Sequence, residues 1–257
     1  MSGLFRKRPR TLGLIILLAT CVPLWGALRV ETSSVTYNSG TEKVKGYLAR
    51  PAGAGPFPAL VVIHEWWGLN EQIRGLADTL AGEGYVALAV DLYRGRVTKD
   101  PMEAHELMRG VPEDRAIRDL KAAVAYLRGR SDVRGERIGS IGWCMGGGYS
   151  LTLAINQPDL AACVVYYGRL ATDKGLLNQI GAPVLGLFGE QDRGIPPVAV
   201  RAFDRAMKSL GKQTEIHIYP GAGHAFANPT RPSYREAAAA DAWKRTLAFF
   251  SKLLKHP

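Results

Sequence analysis

The sequence predicts an α/β fold with a mostly parallel central sheet flanked by helices on both faces. Two continuous apolar segments, 59–63 and 184–188, have the length and composition of strands that are buried on both faces. Segments with helical spacing of apolar residues alternate with such strands, which is typical of parallel sheets. A chain of 257 residues is long enough to bury one substantial core, so a single catalytic domain is expected.

The first half of the predicted domain contains a hairpin followed by strands and helices in alternation. Residues 34–37 and 43–48 flank the turn sequence Asn38-Ser39-Gly40 and predict a β-hairpin. After the strand at 59–63, Asn70 is expected to cap a helix with apolar residues at helical spacing. The next predicted strand is 85–90.

The second half continues the same alternation. Pro112, followed by the acidic residues Glu113 and Asp114, predicts the start of an amphipathic helix. Ser233 and Glu236 have the spacing of a capping box and are expected to begin the last helix. The remaining predicted elements are strands 137–143, 162–167, 184–188 and 214–219 and helices 149–155, 175–180 and 198–210.

Residues 1–28 predict a signal peptide or an N-terminal membrane anchor, which leaves 29–257 as the catalytic domain. Residues 6–10 carry four basic side chains and no acid, and 11–28 contain no charge. A cleaved signal and a retained anchor both fit, with lipid attachment at Cys21 as a further alternative. Basic residues before an apolar run keep that end in the cytoplasm, so the domain is expected to be extracytoplasmic: periplasmic, secreted or membrane-anchored.

The composition indicates which kinds of binding partner are expected. The net charge is +10, but the basic residues beyond the leader are dispersed among acids, so no nucleic-acid surface is expected. The leader is the only expected membrane contact, and a monomer is the default. Beyond the leader the chain has two cysteines, too few for a disulfide scaffold, and Cys163 is expected to be a buried apolar side chain.

A nucleophile, an acid and a base each follow one of the predicted strands. They are Cys144, Asp192 and His224, in that order along the chain. Functional groups gather at the carboxyl ends of strands in such sheets, so these side chains are expected to meet. Gly142 and Gly146 permit a cramped turn around Cys144, and the free N–H groups of the following helix favour a thiolate there.

His64-Glu65 could begin the zinc-binding pattern H-E-x-x-H, but the fifth position is Gly68. No metal is therefore expected. The interpretation that remains is that Glu65 lies beside Cys144 and modulates its protonation.

Two backbone N–H groups, those of Trp66 and Met145, are candidates for an oxyanion hole. Each lies within three residues of the end of a predicted strand, 59–63 for Trp66 and 137–143 for Met145. For the side chains of Trp66 and Trp67, ordinary packing and a wall facing the substrate are both open.

From about residue 34 to residue 255 the chain resembles the dienelactone hydrolase family of α/β-hydrolases. The motifs that carry the resemblance are H-E-W-W-G-L, D-L-Y-R-G, G-W-C-M-G-G, G-E-Q-D-R-G-I-P and G-A-G-H-A-F. The resemblance implies a Cys144–His224–Asp192 triad, with Glu65 holding the resting cysteine inactive until substrate arrives. It also implies hydrolysis of an ester or lactone through an acyl-enzyme, with no cofactor.

Family members that act on dienelactone bind its carboxylate with two arginines. Here Arg94 and Arg96 bracket the first position, but the second falls at Asn228, and an amide replaces a bidentate guanidinium poorly. A small ester or lactone other than dienelactone is therefore expected, with a thioesterase or other acyl hydrolase, or a non-catalytic binding protein, as alternatives. Segment 94–111 is expected to overhang the site. The candidate substrate contacts are Trp67, Tyr93, Arg94, Arg96, Phe226 and Asn228.

Overall fold

A computed structural model of the chain describes residues 28–256, and its centre is a mixed sheet of eight strands. The strands are β1 (Val30–Ser39), β2 (Glu42–Pro51), β3 (Phe57–Ile63), β4 (Val86–Val90), β5 (Val133–Trp143), β6 (Ala162–Tyr166), β7 (Val184–Gly189) and β8 (Thr214–Tyr219). Their spatial order is β1-β2-β4-β3-β5-β6-β7-β8. The β1–β2 and β2–β4 pairs are antiparallel, and the pairs from β4 to β8 are parallel. The predicted α/β fold is confirmed.

The helices cover both faces of this sheet. They are α1 (Glu71–Gly82), α2 (Pro101–Arg109), α3 (Glu113–Arg128), α4 (Met145–Asn156), α5 (Lys174–Asn178), α6 (Pro197–Ser209) and α7 (Glu236–Phe250), and a π-helical turn (Ser251–Lys255) follows α7. Successive residues of a strand point to opposite faces. Val61 of β3 accordingly packs in the core under α3, α4 and α6, whereas Val62 packs in the core under α1 and α7.

Local sequence determines where several of these elements begin. The side chain of Asn70 accepts a hydrogen bond from the Ile73 N–H at 3.1 Å and caps α1 as predicted. Helix α4 begins at Met145, four residues before its predicted start. The glycine run at its beginning weakens the helical pattern in the sequence, but these glycines are needed for close packing. A Cβ at Gly146 would overlap the carbonyl oxygen of Ile63, so only glycine lets α4 approach β3 this closely.

The predicted capping box at the start of α7 is wrong. The helix begins at Glu236 with Arg235 at the N-cap position, and Ser233 makes no capping hydrogen bond. The backbone N–H of Arg235 instead donates to the carbonyl oxygen of Phe226 at 2.9 Å. That bond ties the start of α7 to the loop after β8, so tertiary contact rather than a local capping pair sets this helix boundary.

The predicted leader lies almost entirely outside the described residues, so its cleavage or retention stays a prediction. Within 28–256, no helix combines the length and the apolar character needed to cross a membrane.

We expect Gly146→Ala to lower the free energy of unfolding by about 1–3 kcal/mol, because the added methyl group collides with backbone that cannot move aside. Gly75 in α1 is the matched control: it is exposed and has open space around it, so Gly75→Ala should stabilise by about 0.5–1 kcal/mol. Urea denaturation of both variants measures the difference. Equal stability of Gly146→Ala and the wild-type protein would contradict the packing described for α4.

Candidate active site

Three of the predicted site residues meet at the carboxyl edge of the sheet. Cys144 follows β5, Asp192 lies just beyond β7, and His224 lies in the loop after β8. The Nε2 atom of His224 lies 3.1 Å from the Sγ atom of Cys144, and its Nδ1 atom lies 2.7 Å from an Oδ atom of Asp192. A single imidazole thus connects the thiol to a buried carboxylate.

The Cys144 backbone has the left-handed conformation expected of a tight turn between strand and helix. Its φ angle is 54°, unusual for a residue with a side chain, and its N–H donates to the carbonyl oxygen of Tyr166 at 3.0 Å. Since α4 begins at the next residue, the thiol lies at the N-terminus of a helix, where N–H groups lack intrahelical partners. Such a position favours an anionic sulfur.

Asp192 is held by three hydrogen-bond donors. One carboxylate oxygen accepts from the N–H groups of Gly194 at 2.8 Å and Ile195 at 3.0 Å, and the other faces His224. Burial alone would raise the pKa of Asp192, but the hydrogen bonds from His224 and from these N–H groups outweigh it and lower the pKa. Asp192 is therefore a fixed negative charge beside the imidazole.

His224 is stabilised in its protonated form. Burial by itself would lower the pKa of His224, but its hydrogen bonds to Asp192 and Cys144 raise the pKa to about 10. The imidazolium form is therefore present at neutral pH and is lost as the pH rises through that value. An imidazolium at this position would stabilise negative charge that develops on the sulfur.

Glu65 is buried beside the triad and makes its hydrogen bonds elsewhere. One carboxylate oxygen accepts from the Asn228 amide at 2.6 Å, and the other accepts from the Tyr167 hydroxyl at 3.4 Å. Burial raises the pKa of Glu65, and the Asn228 amide opposes that shift. Neither of these two hydrogen bonds goes to Cys144.

Tyr167 is a site residue that the sequence analysis missed. It was predicted to be the last residue of a strand, but β6 ends at Tyr166, and Tyr167 has a positive φ of 38°. Its ring packs edge-on against His224 with centroids 5.2 Å apart, and its hydroxyl contacts Glu65. Its position at the carboxyl end of a strand, where the three predicted residues also lie, was the available signal.

The two candidate oxyanion donors follow two neighbouring strands of the sheet, β5 and β3. Met145 is the first residue of α4, and Trp66 follows Glu65 in the loop after β3. Within residues 28–256, neither backbone N–H donates to a backbone carbonyl. Both N–H groups therefore lack a backbone partner there and remain candidates for binding an oxyanion.

Three of the candidate substrate contacts are engaged within the protein. Phe226 is fully buried and packs against Tyr167, while Asn228 is buried and donates to Glu65. Trp67 is also buried, and the guanidinium of Arg231 lies 3.6 Å above the centre of its ring. For the Trp67 side chain, these contacts favour ordinary packing over a wall facing the substrate.

The arginines after β4 lie in a different place from these buried residues. Arg94 pairs with Glu42 at 2.9 Å and with the buried Asp119 at 2.8 Å, and exposed Arg96 pairs with Glu103 at 2.8 Å. Together with α2 they surround a cavity of about 280 Å³. Its wall is formed by Tyr93, Arg94, Arg96, Glu106, Leu107, Gly110, Val111 and Arg115.

This cavity adjoins the cysteine turn through Tyr93. The Tyr93 hydroxyl donates to the Sδ atom of Met145 at 3.2 Å, so its side chain separates the cavity from the start of α4. Segment 94–111 supplies most of the remaining wall, and none of the residues that line the cavity belongs to the predicted triad. Among residues 28–256, no group of three or more His, Cys, Asp and Glu side chains is arranged to hold a metal ion.

A family model and a sequence relative both point to the same protein family. The model of the dienelactone hydrolase family matches residues 44–254, from β2 into the π-helical turn. A Methylorubrum extorquens protein named "Putative carboxymethylenebutenolidase" is 37% identical over 221 residues, covering 80% of this chain and 76% of the relative.

Solved structures agree with this match. The crystal structure titled "Putative Dienelactone Hydrolase" from Klebsiella pneumoniae subsp. pneumoniae MGH 78578 is 33% identical, with a TM-score of 0.80 over 87% of this chain and 99% of that one. A dienelactone hydrolase-like promiscuous phosphotriesterase, P91 from metagenomic libraries, is 26% identical with the same TM-score over 87% of this chain and 98% of that one.

We expect Asp192→Asn to lower the pKa of His224 from about 10 toward the ordinary value of about 6.5, because it removes the charge that stabilises the imidazolium. Titration of the His224 ring protons by NMR measures the shift. Asp173→Asn, at the N-cap of α5, is the matched control and should leave that titration unchanged. An identical His224 titration in Asp192→Asn would contradict the electrostatic role given to Asp192.

Proposed function

The chain belongs to the dienelactone hydrolase family of α/β-hydrolases, and on that premise we propose that it hydrolyses small esters or lactones with Cys144 as nucleophile. The observation that carries the proposal is the line of contacts from Cys144 Sγ to His224 at 3.1 Å and from His224 to Asp192 at 2.7 Å. A protein that only bound its ligand would have no need of this alignment. The activity is that of a carboxylic ester hydrolase.

Acylation begins with the Cys144 thiolate paired with the His224 imidazolium. The sulfur attacks the carbonyl carbon, the carbon–sulfur bond forms, and the carbonyl electron pair moves onto oxygen. The N–H groups of Trp66 and Met145 donate to this oxyanion, which exists only along the reaction path. The intermediate then collapses, and the leaving alkoxide takes the proton from His224 Nε2.

Deacylation returns the enzyme to its starting state. His224, now neutral, accepts a proton from a water molecule as that water attacks the thioester carbon. The second tetrahedral intermediate expels the Cys144 thiolate and releases a carboxylic acid. Asp192 keeps the proton on Nδ1, so that Nε2 is the nitrogen that exchanges protons in both steps.

The proposed substrate class follows from which polar side chains are free to bind a substrate carboxylate. Arg94 is paired with Glu42 and Asp119, and Asn228 is occupied by Glu65, so neither is free to bind a substrate carboxylate. We therefore propose that uncharged small esters or lactones are better substrates than dienelactone, which carries a carboxylate.

Glu65 acts on the resting site through its charge and its position. The Asn228 amide and the Tyr167 hydroxyl hold its carboxylate, so the thiol is left to pair with His224. We propose on this basis that the resting cysteine is ready to react, whereas the family resemblance implies a dormant state.

We expect Cys144→Ala to abolish hydrolysis of p-nitrophenyl acetate, with a loss of about 10³-fold or more in kcat because the covalent path is removed. The matched control is Cys163→Ala, whose thiol is buried between β6 and α4 and contacts Ser150. That variant should keep its activity. Steady-state kinetics on the full-length protein measure both, and comparison with dienelactone tests the substrate class.

Two results would count against the proposed function. Unchanged turnover in Cys144→Ala would remove Cys144 as the nucleophile. Absence of turnover of every ester and lactone by folded wild-type protein would remove the hydrolase assignment itself.

The state of the resting cysteine can be tested separately with Asn228→Ala. Loss of the amide removes the hydrogen bond that opposes the burial shift, so the pKa of Glu65 should rise further and its carboxyl should lose negative charge beside the thiol. We expect alkylation of Cys144 by iodoacetamide in the absence of substrate to become several-fold faster. Thr230→Ala, which removes a hydroxyl that donates to the other end of Asn228, is the control and should have a smaller effect. Equal rates in Asn228→Ala and wild-type protein would contradict the role given to Asn228.

A further inference from the structure

We propose that His64 is a positioning residue that orients the Trp66 N–H, one of the two oxyanion donors. The inference rests on the proposed function, because it assigns a partner to that catalytic machinery. It is carried by the hydrogen bonds of a buried imidazole that the mechanism so far leaves unused. In the sequence this histidine could be considered only as half of an incomplete zinc motif.

The hydrogen bonds of His64 determine which ring nitrogen carries the proton. The backbone N–H of Leu92 donates to Nε2 at 3.3 Å, so Nε2 must be the acceptor. The proton of the neutral ring is then on Nδ1, which donates to the carbonyl oxygen of Glu65 at 2.5 Å. Complete burial lowers the pKa of His64 and keeps the ring neutral, so this tautomer persists.

Fixing the Glu65 carbonyl also fixes the Trp66 N–H. The two groups belong to one planar peptide unit and point in opposite directions when the bond is trans. The only cis bond among residues 28–256 is Gly55–Pro56, so the Glu65–Trp66 bond is trans. The Gly68 N–H also donates to the Glu65 carbonyl, at 3.2 Å, and together the two donors hold the peptide plane in place.

The same imidazole is connected to the other oxyanion donor. The ring of Tyr93 packs edge-on against His64 with centroids 4.8 Å apart, and its hydroxyl donates to the Sδ atom of Met145. Gly146, the next residue of α4, lies directly against the carbonyl oxygen of His64. His64 therefore lies between the segments that carry the two donors and contacts the surroundings of both.

The test uses two amide variants that separate the functions of the ring nitrogens. The side chain of Asn places its amide near the Nδ1 position and retains a donor to Glu65, whereas that of Gln reaches the Nε2 position and retains an acceptor for Leu92. We expect His64→Gln to lower kcat for p-nitrophenyl acetate by about 30- to 100-fold with little change in KM, since a misdirected donor fails only in the transition state. His64→Asn should have a kcat at least tenfold above that of His64→Gln.

Alkylation of Cys144 by iodoacetamide distinguishes a misdirected oxyanion donor from a general disruption of the site, because only a general disruption would slow the alkylation. This reaction needs the thiolate but forms no oxyanion, so His64→Gln should alkylate at the wild-type rate. His217→Gln on β8, where the side chain contacts Glu215, controls for the substitution itself. Equal kcat losses in the two His64 variants, or alkylation slowed as much as hydrolysis, would overturn the proposal.

A measurement on the wild-type protein keeps the proposal testable even if the variants fold poorly. The ¹⁵N NMR spectrum of the His64 ring should show a protonated Nδ1 and an unprotonated Nε2, and the opposite tautomer would overturn the assignment. This measurement needs no substrate. Folded wild-type protein without esterase activity would therefore overturn the proposed function separately from the tautomer.

Discussion

The junction between β5 and α4 is the constraint on which the site depends. One residue, Cys144, connects strand to helix in a left-handed conformation, and Gly142 and Gly146 leave room for the backbone to turn back on itself. This geometry places the thiol at a helix N-terminus and within reach of His224. Because Gly146 also contacts the end of β3, the same junction influences where the two proposed oxyanion donors lie relative to the sulfur.

The carboxylates around this junction are held in place by hydrogen bonds. Asp192 is a fixed anion, held by the N–H groups of Gly194 and Ile195, and it supports the imidazolium of His224. Glu65, a buried carboxyl beside the triad, is hydrogen-bonded by neighbours outside the triad. In the proposed mechanism the proton on His224 Nε2 is therefore the one that moves, while the surrounding polar groups remain where the fold places them.

Much of the site could be predicted because parallel strands deliver their following residues to one edge, so Cys144, Asp192 and His224 were expected to meet. Tyr167 was missed because its apolar neighbours continue the strand pattern past the point where β6 ends. In the sequence Asn228 could be considered only as a substrate contact, because its partner Glu65 is distant along the chain. The start of α7 was misplaced because its entry is set by the hydrogen bond from Arg235 to Phe226, which no local pattern reveals.

The most direct test is to trap the acyl-enzyme and locate the acyl group. Wild-type protein would be mixed rapidly with p-nitrophenyl acetate, quenched in acid before deacylation is complete, digested and analysed by mass spectrometry. A covalent path through the cysteine predicts one acetyl group as a thioester on the peptide that contains Cys144, appearing with the burst of p-nitrophenol. An acetyl group on a different residue during turnover, or a burst with Cys144 unmodified, would contradict that path.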